Sequence, residues 1–390
     1  MIQGTCDSAF EPVREVFAAN FSREGAYQEV GAALVVYAGG RLVVDLRGGF
    51  RDVARCQSWT SDTLVNVWST TKGLSAACIA CLVDAGLVDY EAPVARYWPE
   101  FAQAGKANIT VAQVLSHQAG LPGHVEPTTL DDQNDWTRMC DQLARQAPAW
   151  APGTINAYHA MTFGWLAGEI VRRVSGMSAA SYAHETLAVP LSADFFIGLP
   201  VESASRVAEI IPPQHVVTAD EIDLPQVARM ALVNPVQDPE YANSAAWRAA
   251  EIPAANGHAS ARGVARLYAA LANGGELDGV RVLSPDCINR MRAVQTTRPD
   301  LMLGFEPGWA MGFATNRVGI YGPRSGTFGH SGWGGSFGCA DVEANVAIGY
   351  VMNQMGPELV GDPRTTPLCE AIFEAVIQSR RSSVQTGLIR

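Results

Sequence analysis

The chain has 390 residues, of which 48% are apolar and 17% are charged, and this composition excludes a disordered protein. A chain of this length can form a sizeable core in one large domain or in two closely packed domains. A formal net charge of −11, with no run of lysine or arginine, argues against nucleic acid or an anionic membrane surface as a partner. No apolar stretch of the sequence approaches the length of a membrane-spanning helix.

The eight cysteines do not form the dense framework that is typical of small disulfide-stabilised proteins. Cys78 and Cys81 have C-x-x-C spacing, but both lie on an apolar helical stripe, which favours a role in the core. Residues 1–10 contain no basic segment followed by an apolar one, so the sequence indicates no secretory signal. We therefore expect reduced thiols and a cytoplasmic protein.

The first part of the chain predicts a helix, a hairpin and a second helix. A lead-in helix runs to about residue 28, and the turn Gly39-Gly40 joins two β-rich segments, 33–37 and 42–46. A short strand-like segment then leads into a helix that ends at Gly86. The apolar stripe of this helix consists of Leu74, Cys78, Cys81, Leu82 and Ala85.

The middle of the chain predicts short helices separated by loops. Thr110 is a good cap for a short helix. The other predicted helices cover 136–146, 163–174 and 179–187. Residues 148–158 are predicted to form a loop, and the region 190–255 is predicted to be loop-rich.

The last third begins with a helix that Ser260 caps and then returns to strands. The candidate strands are 308–313, 324–329 and 345–353, and an amphipathic helix covers 367–379. Strands at both ends of the chain and hairpin-like spacing predict an antiparallel sheet rather than repeated βαβ units. The predicted fold class is therefore α+β, an antiparallel sheet flanked by helices plus a mainly helical second region.

Two domains follow from this distribution. We expect a discontinuous α/β sheet domain from residues 1–88 and 259–390 and a mainly helical domain from residues 89–258. We expect the functional site to lie between them.

The segment Ser69-Thr70-Thr71-Lys72 has Ser-x-x-Lys spacing at the start of a predicted helix. Residues three apart share a helical face, so the Ser69 hydroxyl and the Lys72 amine can meet. Free backbone N–H groups and the helix dipole near the first turn favour negative charge. A neighbouring base could therefore activate Ser69 to attack an acyl carbon. The alternative is a helix-capping serine followed by a solvated lysine.

Two later stretches follow this motif in order. Residues 158–160 read Tyr-His-Ala before a predicted helix, and residues 329–338 read Gly-His-Ser-Gly-Trp-Gly-Gly-Ser-Phe-Gly. With these three motifs the chain resembles the serine β-lactamase and penicillin-binding-protein superfamily, and it most resembles the class C-like branch that includes the family VIII carboxylesterases. The stretches 115–122 and 260–266 are also similar to segments of that superfamily, so the resemblance covers nearly the whole chain.

The resemblance implies a β-lactamase-like fold and a serine hydrolase. It implies that Ser69 is the nucleophile, that Lys72 and Tyr158 act as general base and acid, and that backbone N–H groups of Ser69 and Trp333 form the oxyanion hole. Either Lys72 or Tyr158 can be the first base. The implied substrate-binding residues are His330, Ser331, Gly332 and Trp333.

Three positions depart from the lactamases of this branch. Ala160 replaces an asparagine that helps to bind the lactam's amide side chain, His330 replaces a lysine that meets the lactam carboxylate, and Trp333 adds apolar bulk. Because these changes remove polar and ionic recognition, we expect a neutral small-molecule ester as the substrate. We expect His330 to be a pH-dependent cation that orients the substrate or the tyrosine, or to act as a general acid or base, and His117 to be structural.

Other functions stay open from the sequence. The same fold also serves β-lactamases, D-amino-acid peptidases and acyltransferases, and a non-catalytic binding or scaffold protein is a further alternative. The complete set of Ser69, Lys72 and Tyr158 argues against a scaffold. The Gly-x-Ser-x-Gly elbow of α/β-hydrolases is absent, because Trp333 occupies its last glycine position. No metal-ligand spacing or dinucleotide-binding glycine motif is present, so we expect no metal or cofactor, and the sequence does not indicate an oligomeric state.

Overall fold

The computed structural model describes residues 2–216, 221, 223 and 225–385. The strands in chain order are β1 (Gln3–Cys6), β2 (Gly31–Ala38), β3 (Arg41–Gly49), β4 (Val65–Asn66), β5 (Phe195–Ile197), β6 (Gly257–Ala259), β7 (Glu276–Leu277), β8 (Val280–Arg281), β9 (Ala314–Thr315), β10 (Phe328–Ser331), β11 (Phe337–Asp341) and β12 (Val346–Met352). The helices are α1 (Glu11–Asn20), α2 (Thr71–Asp84), α3 (Val111–Leu115), α4 (Trp136–Arg145), α5 (Thr162–Ser175), α6 (Ala179–Ala183), α7 (Gln226–Val233), α8 (Ala245–Ala249), α9 (Ala261–Ala272), α10 (Pro285–Met291) and α11 (Thr366–Gln385).

The main sheet combines strands from both ends of the described chain. It has 7 strands in the order β1-β3-β2-β12-β11-β10-β9, and every neighbouring pair is antiparallel. The central pair is β2 with β12, from Ala32 opposite Met352 to Ala38 opposite Val346. A smaller sheet has the order β4-β6-β5. The predicted α+β class with an antiparallel sheet is confirmed.

Helices cover the sheet and connect it to the helical middle of the chain. Helix α9 packs across β2, β11 and β12, and α2 contacts α5, α6, α10 and β10. All residues of β12 are buried, so both faces of the sheet's centre are covered. Helix α9 can approach this closely because Gly349 has no side chain: a Cβ atom there would lie 2.5 Å from the Ala261 carbonyl oxygen.

The predicted helix and the core position of Cys78 and Cys81 are confirmed, and helix α2 is buried on all of its faces and not only along the predicted stripe. Each residue from Thr71 to Val83 is buried, because small side chains let neighbouring elements approach from all directions. At Gly73, for example, a Cβ atom would lie 2.2 Å from the Tyr268 hydroxyl. The helix therefore carries Lys72 into the protein interior rather than to a solvated surface.

Several local predictions are confirmed. The hairpin of β2 and β3 turns at Gly39 and Gly40, which both have positive φ. Thr110 caps α3, and Gln113 completes a capping box there. Ser260 caps α9 by accepting a hydrogen bond from the Gly263 N–H.

Other predictions need correction. The segment 308–313 is not a strand, because Gly308 and Gly312 have positive φ, and the short strand β9 follows it instead. Helix α1 is shorter than predicted, and β10 begins later. The region 190–255 is loop-rich as predicted and also contains the short elements β5, α7 and α8, and its residues 217–220, 222 and 224 lie outside the described residues. The predicted division into two domains stays a prediction. Within residues 2–216 and 225–385, no helix combines the length and the apolar character that crossing a bilayer requires.

Candidate active site

The serine of the Ser-x-x-Lys motif lies in a tight turn just before α2. Trp68, Ser69 and Thr70 form a single 3-10 turn, and Trp68 has a φ of +45°, in the left-handed region that bulky residues rarely adopt. The Ser336 hydroxyl donates to the Val67 carbonyl oxygen at 2.8 Å and lies 3.0 Å from the Thr70 hydroxyl. The third motif is therefore hydrogen-bonded directly to the serine turn.

The Lys72 side chain is fully buried, and its amine has three polar neighbours. Nζ lies 2.9 Å from Ser69 Oγ and donates to the carbonyl oxygens of Ala160 at 2.7 Å and Ala254 at 2.9 Å. Burial lowers the pKa of Lys72 well below its usual value. A neutral amine has two N–H groups, which these two carbonyls accept, and its lone pair is then available for the Ser69 proton.

The Tyr158 ring lies beside the same amine. Its centroid is 4.8 Å from Lys72 Nζ, and it stacks on Trp309 with centroids 5.6 Å apart and planes inclined by 5°. The buried Tyr158 hydroxyl makes no hydrogen bond of ordinary geometry in the described residues, although Ser69 is near enough to lower its pKa. Burial is the larger effect and raises the pKa of Tyr158, so the phenol keeps its proton at neutral pH.

Asp300 contacts this site, although no sequence motif marks it. Its buried carboxylate accepts hydrogen bonds from the Tyr158 backbone N–H at 3.0 Å and from the Trp309 indole N–H at 3.0 Å. The signal in the sequence is one acidic residue immediately before the apolar run 301–303, and such a pattern is too common to indicate a role.

Three histidines near the site are buried, and burial is the largest cause of their low pKa values. The pKa of His117 lies well below its usual value, that of His159 is lowered to about 4, and that of His330 is lowered to about 3 with a further contribution from Lys72. The expectation that His330 is a pH-dependent cation is therefore wrong, because its imidazole is neutral at neutral pH. His117 accepts a hydrogen bond from the His159 backbone N–H at 3.1 Å.

The backbone that follows β10 approaches the serine turn. The rings of Trp68 and Trp333 are in contact, with centroids 5.1 Å apart. Arg364 donates to the Gly334 carbonyl oxygen at 2.6 Å and so holds the glycine-rich turn in place. Within the part of the chain that the structure describes, the backbone N–H groups of Ser69 and Trp333 have no hydrogen-bond acceptor. Both residues line the cavity described next, so these N–H groups are candidate oxyanion donors.

An open cavity of about 370 Å³ reaches Ser69. Its wall is mainly apolar and includes Ala160, Met161, Leu232, Met302, Phe305 and Trp333. Among the described residues, Glu358 is the one charged residue that lines it, and its carboxylate accepts a hydrogen bond from the Tyr27 hydroxyl. The lining does not include His330, Ser331 or Gly332, so their contact with substrate stays a prediction. No three His, Cys, Asp or Glu side chains in the described ranges are grouped so that they could hold a metal ion.

Comparison with known proteins finds relatives along almost the whole chain. The protein-family model described as Beta-lactamase matches residues 17–367. The chain is 38% identical to the esterase/beta-lactamase LipL of Mycobacterium tuberculosis, over 98% of this chain and 90% of the relative. Among solved structures, it is similar to a family VIII carboxylesterase, with 46% identity and a TM-score of 0.90 over 96% of this chain and 100% of the other. It is also similar to a penicillin-binding protein homologue from Caulobacter crescentus, with 42% identity and a TM-score of 0.89 over 96% of this chain and 100% of the other.

Proposed function

The chain belongs to the β-lactamase family, and from that premise we propose that it is a serine hydrolase that cleaves carboxylic esters through an acyl-enzyme on Ser69. The observation that carries the proposal is the buried amine of Lys72, which lies 2.9 Å from a serine hydroxyl that opens into an apolar cavity. The similarity to a family VIII carboxylesterase and to an esterase/beta-lactamase supports ester hydrolysis as the reaction.

Acylation follows from the positions of three side chains. Lys72 takes the hydroxyl proton as Ser69 Oγ attacks the ester carbonyl carbon. The backbone N–H groups of Ser69 and Trp333 stabilise the negative charge that develops on the carbonyl oxygen. As the bond between the carbonyl carbon and the alkoxy oxygen breaks, Tyr158 gives its proton to the leaving alkoxide. The proton on Lys72 then restores the phenol, so the site neither gains nor loses a proton.

We assign the base to Lys72 and the acid to Tyr158, because burial shifts their pKa values in opposite directions. Burial lowers the pKa of Lys72, which favours the neutral amine that can accept a proton. The pKa of Tyr158 is raised, so its phenol is protonated and can donate one. In deacylation the same pair acts on water: Lys72 takes a proton from the attacking water, and Tyr158 returns one to Ser69 Oγ.

The cavity favours a neutral substrate with an apolar acyl or alcohol group. Among the described lining residues there is no lysine or arginine that could pair with a substrate carboxylate. Ala160 supplies a methyl group where an amide would be needed to bind an acylamino group. We propose small-molecule esters as substrates and a cytoplasmic location, and the eight unpaired cysteines support that location.

The test is hydrolysis of p-nitrophenyl butyrate by the wild-type protein and by Ser69→Ala. We expect Ser69→Ala to lower kcat by roughly 10³-fold or more, because the nucleophile is lost while the oxyanion hole remains. Ser203→Ala is the control, since Ser203 is a buried serine that does not line the cavity, whereas Ser69 is partly buried and lines it. A fluorophosphonate should add once to the wild-type protein and to Ser203→Ala, but not to Ser69→Ala, as read by intact mass. Full activity or an intact adduct in Ser69→Ala would refute the proposal.

A further inference from the structure

The carboxylate of Asp300 is fully buried and accepts four hydrogen bonds. Oδ1 accepts from the backbone N–H groups of Tyr158 at 3.0 Å, Met302 at 3.0 Å and Leu303 at 3.1 Å. Oδ2 accepts from the indole N–H of Trp309 at 3.0 Å. Every partner is a donor, so the ionised form of Asp300 is the form that satisfies all of them.

Two of these bonds act on the same tyrosine. One holds the Tyr158 backbone, and the other holds Trp309, the ring on which the Tyr158 phenol stacks with its plane inclined by only 5°. The backbone N–H of Leu301 also donates to the Asn156 carbonyl oxygen at 2.9 Å, which ties this loop to the segment that precedes Tyr158. Asp300 therefore fixes both the position and the ring plane of the tyrosine.

The other two bonds act on the cavity. Met302 and Leu303 line the cavity that reaches Ser69, so one carboxylate joins its wall to Tyr158. Burial is the main cause of the raised pKa of Tyr158, and the negative charge of Asp300 adds to it because it disfavours a phenolate nearby. The charge thus acts in the same direction as burial and favours the proton-donating form of the phenol.

We propose that Asp300 is a positioning residue that holds Tyr158 as the general acid for the leaving alcohol. This inference rests on the ester hydrolysis proposed above. It concerns neither the nucleophile nor the oxyanion hole, so it predicts a defect confined to the step in which the leaving group needs a proton.

A comparison of two esters that differ only in their leaving group isolates the protonation of the leaving group. Ethyl butyrate and p-nitrophenyl butyrate form the same butyryl-enzyme, but ethoxide needs a proton to leave and p-nitrophenolate does not. The ratio kcat/KM covers the steps through acylation, so it is free of the shared deacylation step. For Asp300→Asn, we expect kcat/KM to fall by roughly 10- to 100-fold on ethyl butyrate and by less than about 3-fold on p-nitrophenyl butyrate. General acid catalysis is worth about 10²–10⁴-fold, and an acid that is misplaced but still present loses part of that factor.

Asp341→Asn is the matched control for loss of a buried carboxylate. Asp341 is fully buried and accepts hydrogen bonds from the Ala344 N–H at 2.7 Å and the Thr327 hydroxyl at 3.1 Å, and it pairs with Arg324 at 2.8 Å. It lies at the end of β11 away from the third motif. We expect this variant to change kcat/KM by the same factor on both esters. If Asp300→Asn also lowers kcat/KM by the same factor on both esters, the proposal is overturned.

A second experiment tests whether Asp300 acts through Tyr158. In a Tyr158→Phe background the acid is already absent, so Asp300→Asn should cause no further selective loss on ethyl butyrate. A selective loss of the same size in both backgrounds would refute the proposal. If Asp300→Asn does not fold, Trp309→Phe keeps a ring for stacking and removes the indole donor, and it must show the same leaving-group selectivity.

The wild-type protein separates this inference from the proposed function. If the wild-type protein hydrolyses neither ester above the Ser69→Ala blank, the proposed function itself is wrong. If it hydrolyses both and the Asp300 and Trp309 variants show no leaving-group selectivity, ester hydrolysis stands and the role of Asp300 is refuted.

Discussion

Gly332 lies directly against the carbonyl oxygen of Val67, and a Cβ atom on Gly332 would be 2.2 Å from it. The same Cβ atom would lie 2.3 Å from the Ser336 hydroxyl, which itself donates to Val67. A methyl group therefore cannot be added without moving the backbone that precedes Ser69 or the backbone that leads to Trp333. These are the two segments that carry the proposed oxyanion donors.

Gly332→Ala should consequently damage catalysis. We expect kcat on p-nitrophenyl butyrate to fall by roughly 10²–10³-fold, the range seen when one oxyanion donor is displaced. Gly326→Ala is the control, because Gly326 is exposed and its Cβ would meet first the carboxylate of Glu343, a side chain that can move. Thermal unfolding of both variants separates loss of the fold from loss of the donor. A folded Gly332→Ala protein with wild-type kcat would contradict this account of the turn.

The pH dependence of acylation should report Lys72. Its pKa is lowered by burial, and its neutral amine is the base, so kcat/KM should rise with pH as the amine loses its proton and fall as pH decreases through that pKa. His330 should not contribute, since its pKa is lowered to about 3 and the ring stays neutral above that pH. In His330→Asn, the midpoint of the acid limb should stay where it is in the wild-type protein, whatever the change in rate. A shift of the midpoint in that variant would assign the limb to His330.

Lys72 and Tyr158 should behave as one proton-transfer unit. We expect Lys72→Ala and Tyr158→Phe each to lower kcat/KM on ethyl butyrate by a large factor, and the double variant to be little worse than the poorer single variant. The reason is that the proton taken by Lys72 is the one that restores Tyr158. The measurement is kcat/KM on ethyl butyrate for the wild-type protein, the two single variants and the double variant. Losses that add in free energy would show two independent roles.

Local sequence patterns predicted the parts of the site that lie close together in the chain. Ser69 and Lys72 are three residues apart, so helical geometry alone brings them to 2.9 Å. The turn at Gly39 and Gly40 and the cap at Thr110 were likewise predictable from short-range chemistry. These features depend on neighbouring residues and not on the packing of the whole chain.

The features of the site that no sequence motif indicates depend on contacts between residues that are distant in the chain. Asp300 reaches the Tyr158 backbone across 142 positions, and no local pattern marks it. The neutral state of His330 follows from its burial by elements that are remote in sequence, so its residue type alone suggested a cation. Burial of α2 on all sides is also a tertiary effect, since it requires neighbours such as Tyr268 to fill the space beside Gly73.

The choice between ester and lactam should follow from the cavity wall. Ala160 offers no amide to bind a lactam side chain, and no lysine or arginine among the described residues lines the cavity to meet a carboxylate. The neutral ring of His330 cannot replace that charge. A lost charge-assisted contact is worth about 1.5–3 kcal/mol, which corresponds to roughly one to two decades in kcat/KM. The Ser69 nucleophile and the oxyanion donors remain, so slow acylation by a lactam is compatible with the site.

We therefore expect kcat/KM for a chromogenic cephalosporin to lie well below that for p-nitrophenyl butyrate. Both substrates are assayed with one enzyme preparation at neutral pH, and Ser69→Ala provides the blank. A matched variant, Ala160→Asn, restores the missing amide, and it should raise cephalosporin turnover relative to the ester, because the amide can bind the lactam's acylamino group. Wild-type turnover of the cephalosporin as efficient as that of the ester would show that the polar contacts absent at Ala160 and His330 do not decide the substrate, and the protein would then be a lactamase.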